Sequence, residues 1–212
     1  MGLIDLIKGN TGNQVAEEAS NKFGIGKNQV IALLAVVAPL VISHLMKKAQ
    51  DNPAEAHNLN AALDKDHDGS ILNNPAQAAD RQAEGSSILS HVFGSDKAQV
   101  ENQLSVKTGI SIDKIGPVLA MLTPIIMGFI GNQKQENGVT SGGGIGGLLS
   151  GILGNASQQA QTQSKNPIND ILGSILGGGS SSADSGNPLG SIFGSVLGGN
   201  QQSSKSGGGL GE

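Results

Sequence analysis

The sequence predicts an all-α protein: a small helical domain over residues 1–136, followed by a low-complexity, Gly/Ser-rich tail over residues 137–212. Three observations support this prediction. Apolar residues recur at helical spacing, two related helical segments occupy residues 15–46 and 100–131, and 21 of the 33 glycines lie after residue 136. A segment so rich in Gly, Ser, Asn and Gln has little apolar surface to bury, so we expect the tail to be flexible.

The two helical segments align without gaps at a constant offset of 85 residues, which predicts an internal pseudo-twofold duplication. Each copy has a short amphipathic helix, a glycine and a long apolar helix. Gly24 and Gly109 stand where a helix needs a left-handed C-terminal residue, which glycine adopts without steric cost. Pro39 and Pro124 occupy equivalent places inside the long helices and predict a shared bend. We therefore expect the two long helices to pack against each other.

Shorter helices complete the predicted domain. The chain begins with an amphipathic segment that places Leu3, Ile4, Leu6 and Ile7 on the inward side. Residues 50–98 form the connection between the two copies, and we expect helices near 53–63 and 85–93 within it.

The two long helices raise the question of a membrane. Their apolar runs, residues 30–42 and 115–130, are shorter than the roughly 20 residues that cross a bilayer. A proline interrupts each run, and the chain has no Trp or Tyr to mark a membrane interface. The pattern favours a buried core over integral spans, and membrane association stays open as an alternative.

Composition excludes several classes of function. The formal net charge is −4 and no basic block is present, which argues against nucleic-acid binding. The chain has no cysteine, so disulfides and thiolate chemistry are excluded. No nucleophile elbow, phosphate loop or dinucleotide fingerprint is found, so we expect no enzymatic activity. The N-terminus has Asp5 inside its apolar stretch, unlike a secretion signal, which predicts a cytoplasmic protein.

The acidic segment 64–69 is the sharpest chemical motif. Asp64, Asp66 and Asp68 followed by Gly69 match the first half of a calcium-binding loop, and Ser70 could add its backbone carbonyl. The second half departs from that pattern, because proline stands at position 75 where a bidentate acid is expected. Two interpretations stay open: a Ca²⁺ site built from these residues, or a turn that closes one helix and starts another.

Three similar short apolar segments recur in the tail, at 148–154, 171–177 and 192–198. On a helix their glycines would form a smooth ridge that lets a second helix approach closely. The candidate self-association residues are Gly147, Gly151, Gly173, Gly177, Gly190, Gly194 and Gly198. The alternatives are an unstructured linker with apolar spots and β-type aggregation.

Two further segments carry a resemblance to a known family. The Asp-His-Asp-Gly-Ser segment at 66–70 and the His-Val-Phe-Gly segment at 91–94 resemble the bacterial domain-of-unknown-function family 937, which is related to the YidB-like proteins. The resemblance covers roughly residues 1–135 and implies a small helical fold in bacteria, with no established activity. Asn73 and Asn74 stand where the family tends to have acids.

These observations lead to one principal expectation of function. We expect a non-enzymatic scaffold that interacts with a protein partner or with itself, so that a homo-oligomer is possible. A Ca²⁺-binding module and a membrane-associated protein are the two alternatives.

Overall fold

The structure is a computed structural model of the chain and describes residues 1–162, which contain α-helices, short 3₁₀ turns and no strand. The all-α prediction is therefore confirmed. The helices are α1 (Leu3–Lys8), α2 (Asn10–Phe23), α3 (Lys27–Asp51), α4 (Pro53–Lys65), α5 (Gln82–Phe93), α6 (Lys97–Thr108), α7 (Ile112–Glu136) and α8 (Gly142–Thr162). The 3₁₀ turns are Ser70–Asn73, Pro75–Ala79 and Gly94–Asp96.

Two helical hairpins, α2–α3 and α6–α7, have the local structure that their sequences predict. Gly24 and Gly109 both take the left-handed conformation, with φ of 62° and 67°. Their N–H groups donate to the carbonyls of Ser20 and Ser105 at 2.9 and 3.0 Å, which ends α2 and α6. The duplication itself stays a prediction from the sequence alignment.

The long helices α3 and α7 continue through their prolines without a break. Each proline still removes one N–H from the helical ladder, so the carbonyl of Ala120 has no partner at Pro124. At that carbonyl the backbone of α5 lies close to α7, because Gly85 has no side chain. A β-carbon added at Gly85 would collide with the Ala120 oxygen.

The expected pairing of α3 with α7 is only partly what the structure shows. The two helices touch, but α3 packs chiefly against α8 and α2, whereas α7 packs chiefly against α5. The duplication does not predict this arrangement, because α5 and α8 lie in segments outside the two repeat copies. Both apolar runs nevertheless belong to one continuous core.

Both long helices also meet the length and composition of a membrane span, with mean hydropathy of 2.2 and 1.6 over their most apolar windows. In this fold 72% and 83% of those windows are buried inside the molecule. That burial is typical of the core helices of soluble proteins, which pass the same test of length and composition.

α8 is the largest departure from the sequence-based expectation. We expected flexible chain from residue 137, but Gly142–Thr162 is helical and packs on α3 and α4. Its inward residues lie at helical spacing and are buried: Ile145, Leu148, Leu149, Ile152 and Ala156. The apolar stripe outweighs the helix-weakening effect of the glycines, because burial of one large aliphatic side chain contributes about 1.5–3 kcal/mol and a glycine costs about 1 kcal/mol.

Candidate functional site

The acidic loop lies between the end of α4 and the turn that begins at Ser70. Gly69 has φ of 96°, and Asp68 accepts the N–H of Ser70 at 2.9 Å, which forms a tight turn. The hydroxyl and the N–H of Ser70 hold the pKa of Asp68 below its ordinary value. This geometry is that of a tight turn between the end of α4 and the 3₁₀ turn Ser70–Asn73.

The three aspartates of the loop have separate partners. Asp64 pairs with the buried Lys134 on α7, while Asp68 accepts from Ser70. Asp66 ends α4, and its backbone carbonyl accepts from Arg81 at 2.8 Å. Within residues 1–162 no group of three or more metal-binding side chains converges. The Ca²⁺ site predicted from Asp64, Asp66, Asp68 and Ser70 therefore has no assembled ligand set in this geometry.

The loop packs directly against α7, because two glycines of that helix leave room for its backbone and for the Ile71 side chain. A β-carbon at Gly131 would collide with the backbone carbonyl of His67, and one at Gly128 would collide with the Ile71 side chain. Gln135, one turn further along α7, donates to the carbonyl of Asp68 at 2.8 Å. These contacts bury His67, whose relative exposure is only 4%.

His67 is the least expected feature of the loop. Its Nε2 lies 3.1 Å from Oε1 of Glu84, whose carboxylate is also held by two hydrogen bonds from Arg81. Burial lowers the pKa of His67 more than the charge of Glu84 raises it, so the neutral ring is favoured. The other ring nitrogen, Nδ1, is buried and has no hydrogen-bond partner among the described residues.

A cleft of about 330 Å³ opens beside this histidine, between α3, α4 and α5, with Met127 of α7 contributing to the lining. Its apolar lining also includes Leu45, Ala49, Leu59, Ala62, Ile88 and Val92. The polar lining consists of Lys48, Glu55, Asn58, His67, Ser87 and His91. Ligand sites typically combine a mostly apolar wall with a few polar groups, so the cleft has the composition of a small-molecule site.

One polar contact between two side chains lies at the α5 wall of the cleft. His91 Nε2 lies 2.7 Å from Oε2 of Glu55, and the two residues come from helices α5 and α4. Lys48 forms no ion pair with the part of the chain that the structure describes. The cleft lining therefore contains the Lys48 ammonium group and the Glu55 carboxylate, which do not pair with each other.

Two of the predicted self-association residues lie within the described part of the chain. Gly147 and Gly151 lie on the outer face of α8, in line with Gly143 and Gly154, and all four are exposed. Nothing lies within 4 Å of a β-carbon added at any of them. The remaining predicted ridge residues, Gly173, Gly177, Gly190, Gly194 and Gly198, and the segments 171–177 and 192–198, lie outside the described residues.

Two site features were missed by the sequence analysis. The burial of His67 depends on contacts with α7, more than sixty residues away, and its acidic neighbours suggest an exposed loop. The cleft forms only where three helices meet, and no local motif marks it. Its one sequence signal is the His-Val-Phe-Gly segment, which supplies His91 and Val92 to the lining.

Comparison with known proteins gives one match. Residues 5–133 match the family described as "Bacterial protein of unknown function (DUF937)". The matched region spans α1 to the last turn of α7, and α8 follows it. No curated protein and no solved structure matches the chain.

Proposed function

We propose that this chain, which belongs to the DUF937 family of bacterial proteins of unknown function, is a cytoplasmic, non-enzymatic scaffold that self-associates through the outer face of α8. The observation that carries this proposal is a contrast between two groups of helical glycines. Packing within the monomer requires glycine at Gly85, Gly128 and Gly131, because a β-carbon at each would collide with a packed neighbour. The glycines on the outer face of α8 have no such neighbour.

Exposed glycines on a helix are costly without a compensating contact. Each destabilises the helix by about 1 kcal/mol relative to alanine. Gly143, Gly147, Gly151 and Gly154 stand on one face of α8, three or four residues apart, so the cost is repeated along a single stripe. A second helix packed on that stripe would offset the cost, since two backbones can approach closely where no side chain intervenes.

The occupant that we propose for this face is α8 of a second copy. The most common soluble assembly is a twofold dimer in which the same surface meets itself, and a smooth ridge suits such a contact. The chain repeats the pattern of α8 in segments 171–177 and 192–198, which lie beyond the described residues. If they contact other copies in the same way, the assembly becomes multivalent.

Alanine substitutions separate self-association from folding. In the Gly147→Ala/Gly151→Ala variant, each methyl group enters open space in the monomer, so we expect a higher melting temperature. The same methyl groups would hold two ridges apart, so the dimer dissociation constant should rise at least about tenfold. Sedimentation velocity across a concentration series measures the association, and a thermal melt monitored by circular dichroism measures stability.

The matched control is Gly146→Ala on the same helix. An added β-carbon there meets only the Gln50 side chain at 3.6 Å, an ordinary van der Waals distance, and Gly146 is not on the ridge. We expect this variant to associate like the wild type. A wild-type protein that stays monomeric, or a double variant that associates as tightly as the control, would rule out the α8 interface.

No contact among the described residues favours the two alternative functions. Ca²⁺ binding at the acidic loop would require Asp64 to leave Lys134, since ligand charge and number set Ca²⁺ affinity. Membrane insertion of α3 or α7 would require the core to open, because most of each apolar window is buried.

A further inference from the structure

The cleft between α3, α4 and α5 has a lining that suits the apolar face of a helix. Each of these helices contributes a short apolar stripe at helical spacing. The stripes consist of Leu45 and Ala49 on α3, Leu59 and Ala62 on α4, and Ile88 and Val92 on α5. Ala49, Ala62 and Ile88 are only half-buried, so part of this apolar wall is open to solvent. Grooves of this kind bind amphipathic helices through apolar residues spaced i, i+3, i+4 and i+7.

The chain contains that spacing three times after residue 136. In α8, which packs on α3 and α4, it is formed by buried residues: Ile145, Leu148, Leu149 and Ile152. The same pattern recurs twice further along the chain, as Ile168, Ile171, Leu172 and Ile175, and as Leu189, Ile192, Phe193 and Val196. Both later segments lie outside the described residues. They therefore carry the apolar pattern that packs on α3 and α4 when it occurs in α8.

A helix-start signal comes directly before each of the later segments. Asn166-Pro167 precedes the first and Asn187-Pro188 precedes the second. The same dipeptide, Asn52-Pro53, begins α4, where the Asn52 side chain accepts the N–H of Ala54 at 2.9 Å. Asparagine is favoured at the N-cap and proline at the first helical position. The sequence of each segment therefore predicts a short amphipathic helix.

Chain length decides which of the two segments can reach the cleft. Gly142, the first residue of α8, lies against the backbone of α4 in the same turn as the lining residue Asn58. Thr162, the last residue of α8, is about 30 Å further along that helix. The chain from Thr162 to segment 168–175 spans at most about 20 Å, which is too short to return to the cleft. The chain to segment 189–196 can span roughly 90 Å, which is ample.

We propose that segment 189–196 docks in this cleft of its own chain and packs its apolar face against the stripes of α3, α4 and α5. The segment contains no charged residue, so docking brings no charge to the apolar wall. On a helix Gly190 and Gly194 lie away from the docked face, so they stay available to other copies. The proposal is independent of the α8 interface, because no residue of α8 lines the cleft.

Disulfide trapping tests this contact, because the chain has no cysteine of its own. The full-length variant Ala62→Cys/Ser195→Cys places one thiol in the cleft lining and one in the segment, and it keeps all four apolar residues of the segment. A disulfide forms only when the two Cα atoms come within about 7 Å of each other. In a glutathione redox buffer we expect an intramolecular disulfide, detected by non-reducing electrophoresis and mass spectrometry.

The matched control is Val106→Cys/Ser195→Cys. Val106 is 82% exposed, so its replacement is a fully accessible thiol. It lies near Thr108, whose carbonyl accepts from Gln29 at the start of α3, whereas the cleft is formed at the other end of α3. We expect the cleft pair to form its disulfide at least about tenfold faster than this control, because docking raises the local concentration of the segment. Adding Phe193→Asp to the cleft pair should reduce its rate to that of the control, since a carboxylate is costly to bury in an apolar wall.

A peptide of residues 187–198 provides a second measurement. Fluorescence anisotropy should show that it binds the full-length variant Phe193→Asp/Val196→Asp at least about tenfold more tightly than the wild type, whose own tethered segment competes for the cleft. Adding Ala49→Asp to that variant should abolish binding, since Ala49 is a half-buried residue of the lining.

The outcomes distinguish the possible occupants of the cleft. Equal trapping rates for the cleft pair and the control would overturn docking at this site. Trapping that gives mainly disulfide-linked dimers would overturn docking within one chain and assign the cleft to the segment of a second copy. A peptide that binds the wild type as tightly as the Phe193→Asp/Val196→Asp variant, or binds neither, would also overturn the proposal.

Discussion

At the residue scale, the buried Lys134 shows that the acidic loop supplies a counter-charge to α7. Its ammonium group is almost fully enclosed, and its partner Asp64 is 57% exposed. The same aspartate that the sequence offers as a Ca²⁺ ligand compensates a buried charge on α7. A sequence pattern reports the ligand types of a loop, but it does not report the nonlocal cation that competes for them.

This pairing predicts an asymmetry between two substitutions. Asp64→Asn leaves the buried ammonium group uncompensated, so we expect a loss of about 1–3 kcal/mol in the free energy of unfolding, less than for a fully enclosed pair. Lys134→Met removes the charge and keeps the aliphatic chain, so its effect should be smaller. Urea denaturation of both variants measures the difference, and equal losses would refute the role given to Asp64.

His67 predicts the dependence of stability on pH. Burial lowers the pKa of its ring below the ordinary value of 6.5, and burial lowers the pKa of His44 as well. Above pH 6.5 the ring is neutral in both folded and unfolded chains, so it contributes no pH dependence. As the pH falls below 6.5 the unfolded chain takes up the proton first, and the folded state loses stability until the folded ring is also protonated.

Denaturation at pH 7.5 and at pH 5.5 tests this expectation. The wild type should lose stability between these two values, and His67→Phe should lose less, because one of the two titrating rings is gone. His44 should account for part of the remaining loss. An undiminished decline in His67→Phe would show that its ring does not govern the effect.

At the level of elements, close approach to α7 organises the fold. Gly85 brings α5 against the carbonyl that Pro124 leaves free, and Gly131 brings the acidic loop against the same helix.

The prediction is that Gly85→Ala destabilises the protein by about 1–3 kcal/mol, although alanine is the better helix former, because the new methyl group meets backbone that cannot move aside. Gly154→Ala, where the added methyl group is in open space, should instead stabilise it. A melting temperature that rises for Gly85→Ala would contradict the packing described here.

The elements also show which features the sequence predicts. The ends of α2 at Gly24 and of α6 at Gly109 depend on a few neighbouring residues. The sequence therefore predicts them correctly. The sequence analysis did not predict α8 as part of the folded domain, because the high glycine content of residues 137–212 as a whole favours flexible chain. Within that segment, apolar residues recur at helical spacing and all lie on one face of α8: Ile145, Leu148, Leu149 and Ile152. This local pattern predicts a buried amphipathic helix.

For the molecule as a whole, the sequence predicts the class and the buried helices but not their partners. The apolar content of α3 and α7 requires burial, and two hydrophobic helices can be buried in many arrangements. Only the structure shows that α7 packs chiefly against α5, and α3 chiefly against α8 and α2. The cleft beside His67 is formed by residues of four helices that are spread along the sequence, so no local sequence motif predicts it.

The central claim is that α3, α7 and α8 share one core in water. Hydrogen exchange followed by mass spectrometry, on the full-length chain in detergent-free buffer, tests it most directly. We predict strong and comparable protection of the amides in 30–42, 115–130 and 145–156, because cooperative cores exchange together. Exchange of 145–156 within seconds, or a protein that stays in solution only with detergent, would contradict the account.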